Sequence, residues 1–249
     1  MLLYISMKDA VSALQTKEKQ QHVQVMFSSC AKRYDFTNSL LSGGMHHHWK
    51  RIAIKSAGLK PGDKALDVCS GTQDMAILMS KYVGGEGCVL STDLNAAMLE
   101  VGDQKVAKLG LGSRIKSLRA NAQELPLPDN EFDVATVAFG IRNVDSIQKA
   151  FSEMRRVLKP QGKLICLEFS KPVSWPFKLA YDIYSFAILP TVGPLVSGDR
   201  TGIYYYLPKS IRKFPAQEKL KQIMAESGLR QVSYQNLCGG IVAIHTGIK

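Results

Sequence analysis

A chain of 249 residues is long enough to bury most of its apolar surface in one core, and suits one domain with additions or a domain and a half. Its 32 Lys and Arg against 21 Asp and Glu leave a net charge of +11, which favours an anionic partner such as nucleic acid, phospholipid head groups or a phosphorylated substrate. The basic residues are scattered, and no zinc finger, RNP-type aromatic strand or basic helical arm offers nucleic acid a reader, so membrane-surface affinity ranks first and no nucleic-acid partner is expected.

The five cysteines (Cys30, Cys69, Cys88, Cys166, Cys238) are odd in number, widely spaced and mostly set in apolar runs, which points to a reducing compartment and buried free thiols. The opening MLLYISMKDA lacks a basic flank, a long apolar stretch and a small-residue cleavage site, so it does not read as a signal peptide. The most apolar later stretch, 178–196, carries Lys178, Asp182, Pro190 and Pro194 and falls short of the ~18–20 uncharged residues of a spanning helix. A cytoplasmic protein, soluble or held at the inner face of a membrane, is the expectation.

In chain order, the centre alternates strand and helix. Strands are expected at Lys64 to Cys69, Gly87 to Thr92, Arg114 to Leu118, Phe132 to Phe139 and Lys163 to Phe169, with helices at Asp74 to Tyr82, Asn95 to Lys108 and Ser146 to Leu158. Such βαβ alternation implies a mostly parallel sheet wrapped by helices, with ligands at the strands' carboxyl ends. The end differs: a helix at Pro215 to Ser227, then strands at Arg230 to Leu237 and Ile241 to Thr246 joined by Gly239-Gly240, a hairpin signal. Residues 1–60 form a separate N-terminal lid segment ahead of a core spanning 61–249. Within that core, 171–213 is an insertion rich in aromatics: Trp175, Phe177, Tyr181, Tyr184, Phe186, Tyr204, Tyr205 and Tyr206. It is placed to cover an apolar substrate pocket.

Three strand tips outline a cofactor site. The first turn, LDVCSGTQD, has a single glycine, Gly71, where a pyrophosphate-binding turn needs several to bring backbone amides close to phosphate. A cofactor with a sulfonium and an amino-acid tail needs one tight turn, with Thr72 and Asp74 to receive a carboxylate and an ammonium. Asp93, 22 residues past Gly71, ends the second strand and can accept both hydroxyls of an unphosphorylated ribose. It could equally cap the helix beginning near Asn95. Asn121 and Ala122 supply the third tip, where an adenine ring would lie.

Two longer strings carry a family resemblance. YDFTNSLLSGGMHHHW (Tyr34 to Trp49) and RVLKPQGKLICLEFS (Arg156 to Ser170) resemble the two signature motifs of the ubiquinone/menaquinone biosynthesis C-methyltransferases, and similarity extends through FGIRNV and YDIYSFAILPTVGPLV. The chain departs from the family where Ser70 and Gln73 stand in a turn usually of the form GGTGD, where Thr37 replaces a methionine, and where Gln161 replaces one of paired glycines.

The resemblance implies a class I methyltransferase fold, Rossmann-like with a seven-stranded sheet that ends in an antiparallel hairpin. It implies S-adenosylmethionine as cofactor, at Thr72, Asp93, Asn121, Ala122 and Ala138, and a prenylated quinol as substrate. Within that frame Arg142 is the expected stabiliser of the substrate phenolate, with Asn143 beside it as a hydrogen-bond partner; the competing role for Arg142 is a salt bridge with Asp145 or another surface carboxylate. Tyr34 and Asp35 are placed in a front lid over the cofactor, Tyr181 and Tyr184 in the quinol pocket. His46, His47 and His48 project about 100° apart on a helix, and no Cys or carboxylate at ligand spacing accompanies them, so no metal is expected. Partner enzymes of quinone biosynthesis and a homodimer are open, as are a methyltransferase acting on another lipophilic small molecule and a non-catalytic RNA-binding protein of this fold.

Overall fold

The computed structural model describes residue 21, residues 23–197 and residues 202–249. The expectation for MLLYISMKDA and the front of the lid segment lies outside the described residues.

The strands are β1 (Lys64–Val68), β2 (Cys88–Asp93), β3 (Ile115–Arg119), β4 (Phe132–Ala138), β5 (Leu158–Phe169), β6 (Arg230–Leu237) and β7 (Val242–Ile248). They form one seven-stranded sheet in the order β3-β2-β1-β4-β5-β7-β6. β1 to β5 pair in parallel, while β7 runs antiparallel to both β5 and β6. This is the mixed sheet that the sequence predicts, with each expected strand found within a few residues of its place.

The helices are α1 (23–30), α2 (Tyr34–Leu41), α3 (Met45–Ala57), α4 (Asp74–Val83), α5 (Ala96–Lys108), α6 (Ile147–Val157), α7 (Trp175–Ile183), α8 (Leu189–Ser197), α9 (Ile203–Lys213) and α10 (Gln217–Glu226). Side-chain caps fix two starts: Asn95 accepts from the Met98 amide and Ser146 from that of Lys149.

The strands' period of two divides the core. Leu66, Val68, Ala135, Val137, Leu164 and Cys166 face Phe151 and Met154 of α6 and Leu220 and Met224 of α10. Ala65, Val89, Val134, Ile165 and Leu167 face Ala53 and Ile54 of α3 and Ala76 and Met79 of α4. A third cluster joins Val23, Met26 and Cys30 of the front segment to Leu189, Ile203 and Tyr204 of the insertion. The front segment and the insertion therefore pack on each other.

The insertion is more regular than its text suggests. α7 and α8 are joined without a break by a π-helical turn, Tyr184–Ile188, a feature that widens the helix locally. The hairpin is present, but its turn is a 3₁₀ segment, Cys238–Gly240, with Gly239 and Gly240 at positive φ. Cys30 and Cys166 are buried, as expected; Cys88 is exposed, and Cys69 and Cys238 are half-buried. Cys88 starts β2 at the sheet's rim, where an apolar neighbourhood in sequence does not mean a covered one in space. Among the described residues no helix is long and apolar enough to cross a membrane.

Register aligns the carboxyl ends of the central strands, with Val68 beside Thr92 on one side and Val137 on the other. Because β1 lies between β2 and β4, the chain leaves it in opposite directions and opens a crevice there. The turns over this crevice touch closely: a Cβ on Gly140 would lie 2.3 Å from that of Cys69. Gly140→Ala is therefore expected to cost about 1–3 kcal/mol of stability by overpacking; an unchanged urea midpoint would contradict that packing.

Candidate active site

A cavity of about 490 Å³ opens over these strand ends, within the size range of small-molecule sites. It is walled by the tips of β1, β2 and β4, by α2 and α3 at the front, and by the insertion. Every residue that the sequence proposes for the site borders it: Gly71, Thr72, Asp74, Asp93, Asn121, Ala122 and Ala138 at the strand tips, Arg142 and Asn143 after β4, Tyr34 from the lid, Tyr181 and Tyr184 from the insertion.

The first turn is built on left-handed backbone at Cys69, Gly71 and Gln73. At Gly71 a side chain would be strained and would press on Met98 Cε at 3.1 Å. Gln73, where the family carries glycine, is held by its own side chain: Nε2 donates to Asp103 Oδ1 at 2.7 Å and to the Leu99 carbonyl. Gly102 makes the room, since a Cβ there would lie 2.6 Å from Gln73 Cγ. A buried anchor thus offsets the conformational cost of a non-glycine residue.

Asp93 ties two tips together, accepting from the Gly71 amide through Oδ2 and from the Asn95 amide through Oδ1, each at 2.8 Å. Capping α5 falls to Asn95, which settles the alternative role weighed for Asp93. Burial raises the Asp93 pKa against the pull of these amides. Both oxygens keep lone pairs in addition to those the amides use.

Asp74 and Thr72 are committed elsewhere. Asp74 accepts from Lys50 at 2.8 Å through one oxygen and from Lys105 through the other, and the Thr72 hydroxyl donates to Asp35, which also accepts from Lys105. Burial pushes the Asp74 pKa up, but the two ammonium groups outweigh it and hold the carboxyl well below the usual range. Asp74 thus meets the cavity as part of an ion-paired network with two ammonium groups.

Asp67, not singled out in the sequence, is a further carboxylate at the site. It lies fully buried on β1 and borders the cavity; Oδ1 accepts from Thr136 at 2.8 Å, while Oδ2 finds no partner among the described residues. Burial pushes its pKa up to about 7. A carboxylate inside an otherwise apolar strand, LDV, is the signal that could have found it.

Arg142 sits on a 3₁₀ turn, Ile141–Asn143, after β4. Its partner is Glu168 at the end of β5, not Asp145, and the pair is not on the surface: at 2.7 Å, the two side chains are 5% and 1% exposed. Arg142 also donates to the Phe139 carbonyl, its guanidinium lies 5.6 Å from the Phe169 ring centroid, and its Nε has no partner among the described residues. Both charges have therefore left water, and each depends on the other for its burial. The charge reaches three phenols around the cavity. Burial raises the pKa of Tyr34, Tyr181 and Tyr206, the first two to about 12, and Arg142 pulls each of them down. Asn143 is positioned by Tyr206, whose hydroxyl donates to its Oδ1 at 3.0 Å.

Tyr181 and Tyr184 stack at 6.4 Å between centroids, and the Tyr184 hydroxyl donates to the Leu41 carbonyl, tying insertion to lid. Of the eight insertion aromatics only Tyr181, Tyr184, Tyr204 and Tyr206 border the cavity; Trp175, Phe177, Phe186 and Tyr205 face outward.

The histidine run holds one correction. A carboxylate does stand beside it, because α4 brings Asp74 to His46 and His47, with donor atoms within 4.8 Å of one another. Ser39 Oγ contacts Nε2 of both rings. Burial lowers the His46 pKa to about 4. With Lys50 and Lys105 on both Asp74 oxygens, ammonium groups already balance that carboxylate.

Residues 15–249 match the model of the ubiE/COQ5 methyltransferase family. The chain belongs to that family. It is 48% identical over 234 residues to the ubiquinone/menaquinone biosynthesis C-methyltransferase UbiE of Marinomonas sp. (strain MWYL1), covering 94% of this chain and 93% of the relative. Among solved structures, a SAM-dependent methyltransferase from Aquifex aeolicus matches with a TM-score of 0.59 at 22% identity, covering 80% and 88% of the two chains. A phosphoethanolamine N-methyltransferase from Haemonchus contortus, in complex with S-adenosyl-L-methionine, matches at 0.61 and 17%, covering 86% and 56%. These two likenesses speak to the fold, and the family fixes the chain as an S-adenosylmethionine-dependent methyltransferase.

Two measurements check the site. Glu168→Gln leaves the buried guanidinium without its counter-charge and should cost about 3–5 kcal/mol in chemical denaturation; a loss under 1 kcal/mol would show the pair to be dispensable. For Asp67 the folded value, about 7, lies above the ordinary 3.8. Its contribution is therefore fully present below pH ~4 and lost as pH rises towards 7, at up to about 1.4 kcal/mol per pH unit. Asp67→Asn keeps the shape and removes the titration, so its stability relative to the parent should rise between pH 4 and 7; parallel curves would refute the assignment.

Proposed function

We propose that the chain methylates an unsubstituted ring carbon of a reduced, prenylated quinone, a demethylmenaquinol or the methoxy-benzoquinol of the ubiquinone route. The reading is carried by one observation: a buried guanidinium, set among the phenols of Tyr34, Tyr181 and Tyr206, shares a cavity with a strand-tip carboxylate suited to ribose.

The site residues fit the cofactor. Asp93, fixed by two amides, receives the ribose hydroxyls, and Asn121 and Ala122 flank the adenine. Asp67, with an unpartnered oxygen and a pKa near 7, receives the ammonium. Gly71 leaves room against Met98, and Ala138 contributes backbone and a methyl surface. Bound there, S-adenosylmethionine supplies an electrophilic methyl group on a sulfonium.

The chain's own residues do the rest. Arg142 favours the ionised phenol of the substrate, which pushes electron density onto the adjacent ring carbon, and Asn143, held by Tyr206, orients that oxygen. Tyr34, Tyr181 and Tyr184 wall off water and hold the ring for in-line approach. The prenyl tail and the +11 charge support a location at the cytoplasmic face of a membrane.

Arg142→Gln should cut labelled-methyl transfer to demethylmenaquinol about 10²–10³-fold with cofactor affinity nearly unchanged, whereas Asp93→Ala should weaken the cofactor itself. Unchanged turnover in the Arg142 variant would remove it from the mechanism. Transfer to a phospholipid amine but not to quinols would replace the substrate assignment.

A further inference from the structure

The helix that walls the cavity is apolar on both of its sides. From 175 to 195, α7, the π-helical turn and α8 run without interruption. On the inner side Tyr181, Tyr184 and Leu189 border the cavity. On the other side Trp175, Leu179, Ile183, Phe186, Ile188 and Leu195 are exposed, Trp175 to 75% and Leu195 to 84%. The spacings of 4, 4 and 3 residues from Trp175 to Phe186 keep them on one stripe. Of the charged residues of the run, Lys178 falls beside the stripe, while Asp182, seven residues past Trp175, lies within it and is paired with Arg212. α2 packs on α8 and adds Phe36 and Leu40, also exposed. A helix apolar all round is ordinarily covered on every side, and a contiguous outward patch of this kind marks a docking surface.

We propose that this outer stripe lies in the plane of a lipid bilayer with anionic head groups, so that one helix floors the membrane contact on its outside and the quinol pocket on its inside. The substrate half of this statement rests on the function proposed above; the docking half does not. Charge selects the occupant. Arg212 pairs with Asp182 and lies 4.3 Å from the Phe186 ring centroid, an arrangement in which a cation borders the buried edge of an apolar side chain. Lys178 on α7 itself, and Lys209 and Lys213 on α9, the helix that carries Arg212, are exposed. A second copy of the chain would bring these cations against their own equivalents, whereas anionic head groups attract them, each by about 1 kcal/mol. The stripe has the character of an in-plane amphipathic anchor, with tryptophan at its end and basic residues flanking it.

The chain reports on this directly, since it has two tryptophans, and Trp49 is buried at 6% exposure. With the full chain and phosphatidylcholine vesicles containing phosphatidylglycerol and no quinone, Trp175 emission should shift to the blue and be quenched by brominated acyl chains. Leu179→Gln/Ile183→Gln/Leu195→Gln changes exposed positions only, and should weaken vesicle partitioning at least tenfold while cofactor affinity and methyl transfer to a short-tailed quinol in detergent stay unchanged. Pure phosphatidylcholine should bind more weakly than the anionic mixture. Unshifted Trp175 emission, equal partitioning of the triple variant, or a dimer that the triple variant dissociates without any change in vesicle binding would overturn the proposal. Because the vesicles contain no quinone, docking can fail while methyl transfer stands, and transfer can fail while docking stands.

Discussion

Two opposite charges removed from water, Arg142 and Glu168, set the terms for the rest of the site. Neither is tolerable alone in an apolar cavity wall, and each is placed by a different strand end, β4 for the arginine turn and β5 for the glutamate. Their pairing therefore locks the two tips at one relative height and sets the guanidinium end of the pair among several phenolic hydroxyls, where it opposes the effect of burial on their ionisation. A replacement by apolar side chains could pack as well, but it would supply no field. The chemistry that most needs a phenolate is the chemistry best served by accepting this desolvation cost.

A second network holds the front of the molecule to the cofactor turn. Asp35 of α2, Lys50 of α3, Asp74 of α4 and Lys105 of α5 alternate in sign, and the Thr72 hydroxyl joins them through Asp35. Lid and strand tip thus share their charges, so a lid displacement would unbalance the turn below it. The Tyr184 hydroxyl on the Leu41 carbonyl makes the corresponding tie to the insertion. Closure around the ligand is built from both directions, by ion pairs at the cofactor end and by aromatic packing at the substrate end.

Much of this was legible in the residues. The alternation of apolar strands with amphipathic helices specifies the sheet and its parallel part, because burial on both faces writes a continuous apolar run and a turn must follow each one. The glycine-poor first turn and the carboxylate ending β2 suit an adenosyl group without phosphates, since one tight turn and one acceptor suffice for it, and the family resemblance names the cofactor. All the nominated site residues border one cavity because ligands collect where strand ends meet, a rule that needs no coordinates.

What only the tertiary structure decided is who partners whom. Sequence distance made Asp145 the natural companion of Arg142, but Glu168, 26 residues away, arrives through the pairing of β4 with β5. Asp74 looked unengaged in the sequence, but α3 and α5 bring lysines to both its oxygens, and Asp67 on β1 is the carboxylate left with an oxygen that has no partner among the described residues. Half of the insertion's aromatics turn outward for the same reason: composition counts rings, and the helix phase that aims them is fixed only once the inner side has packed on the cavity. Local pattern determines elements and strand tips because backbone hydrogen bonding and burial are periodic along the chain; charge pairing and facing are properties of the assembled surface, and no period records them.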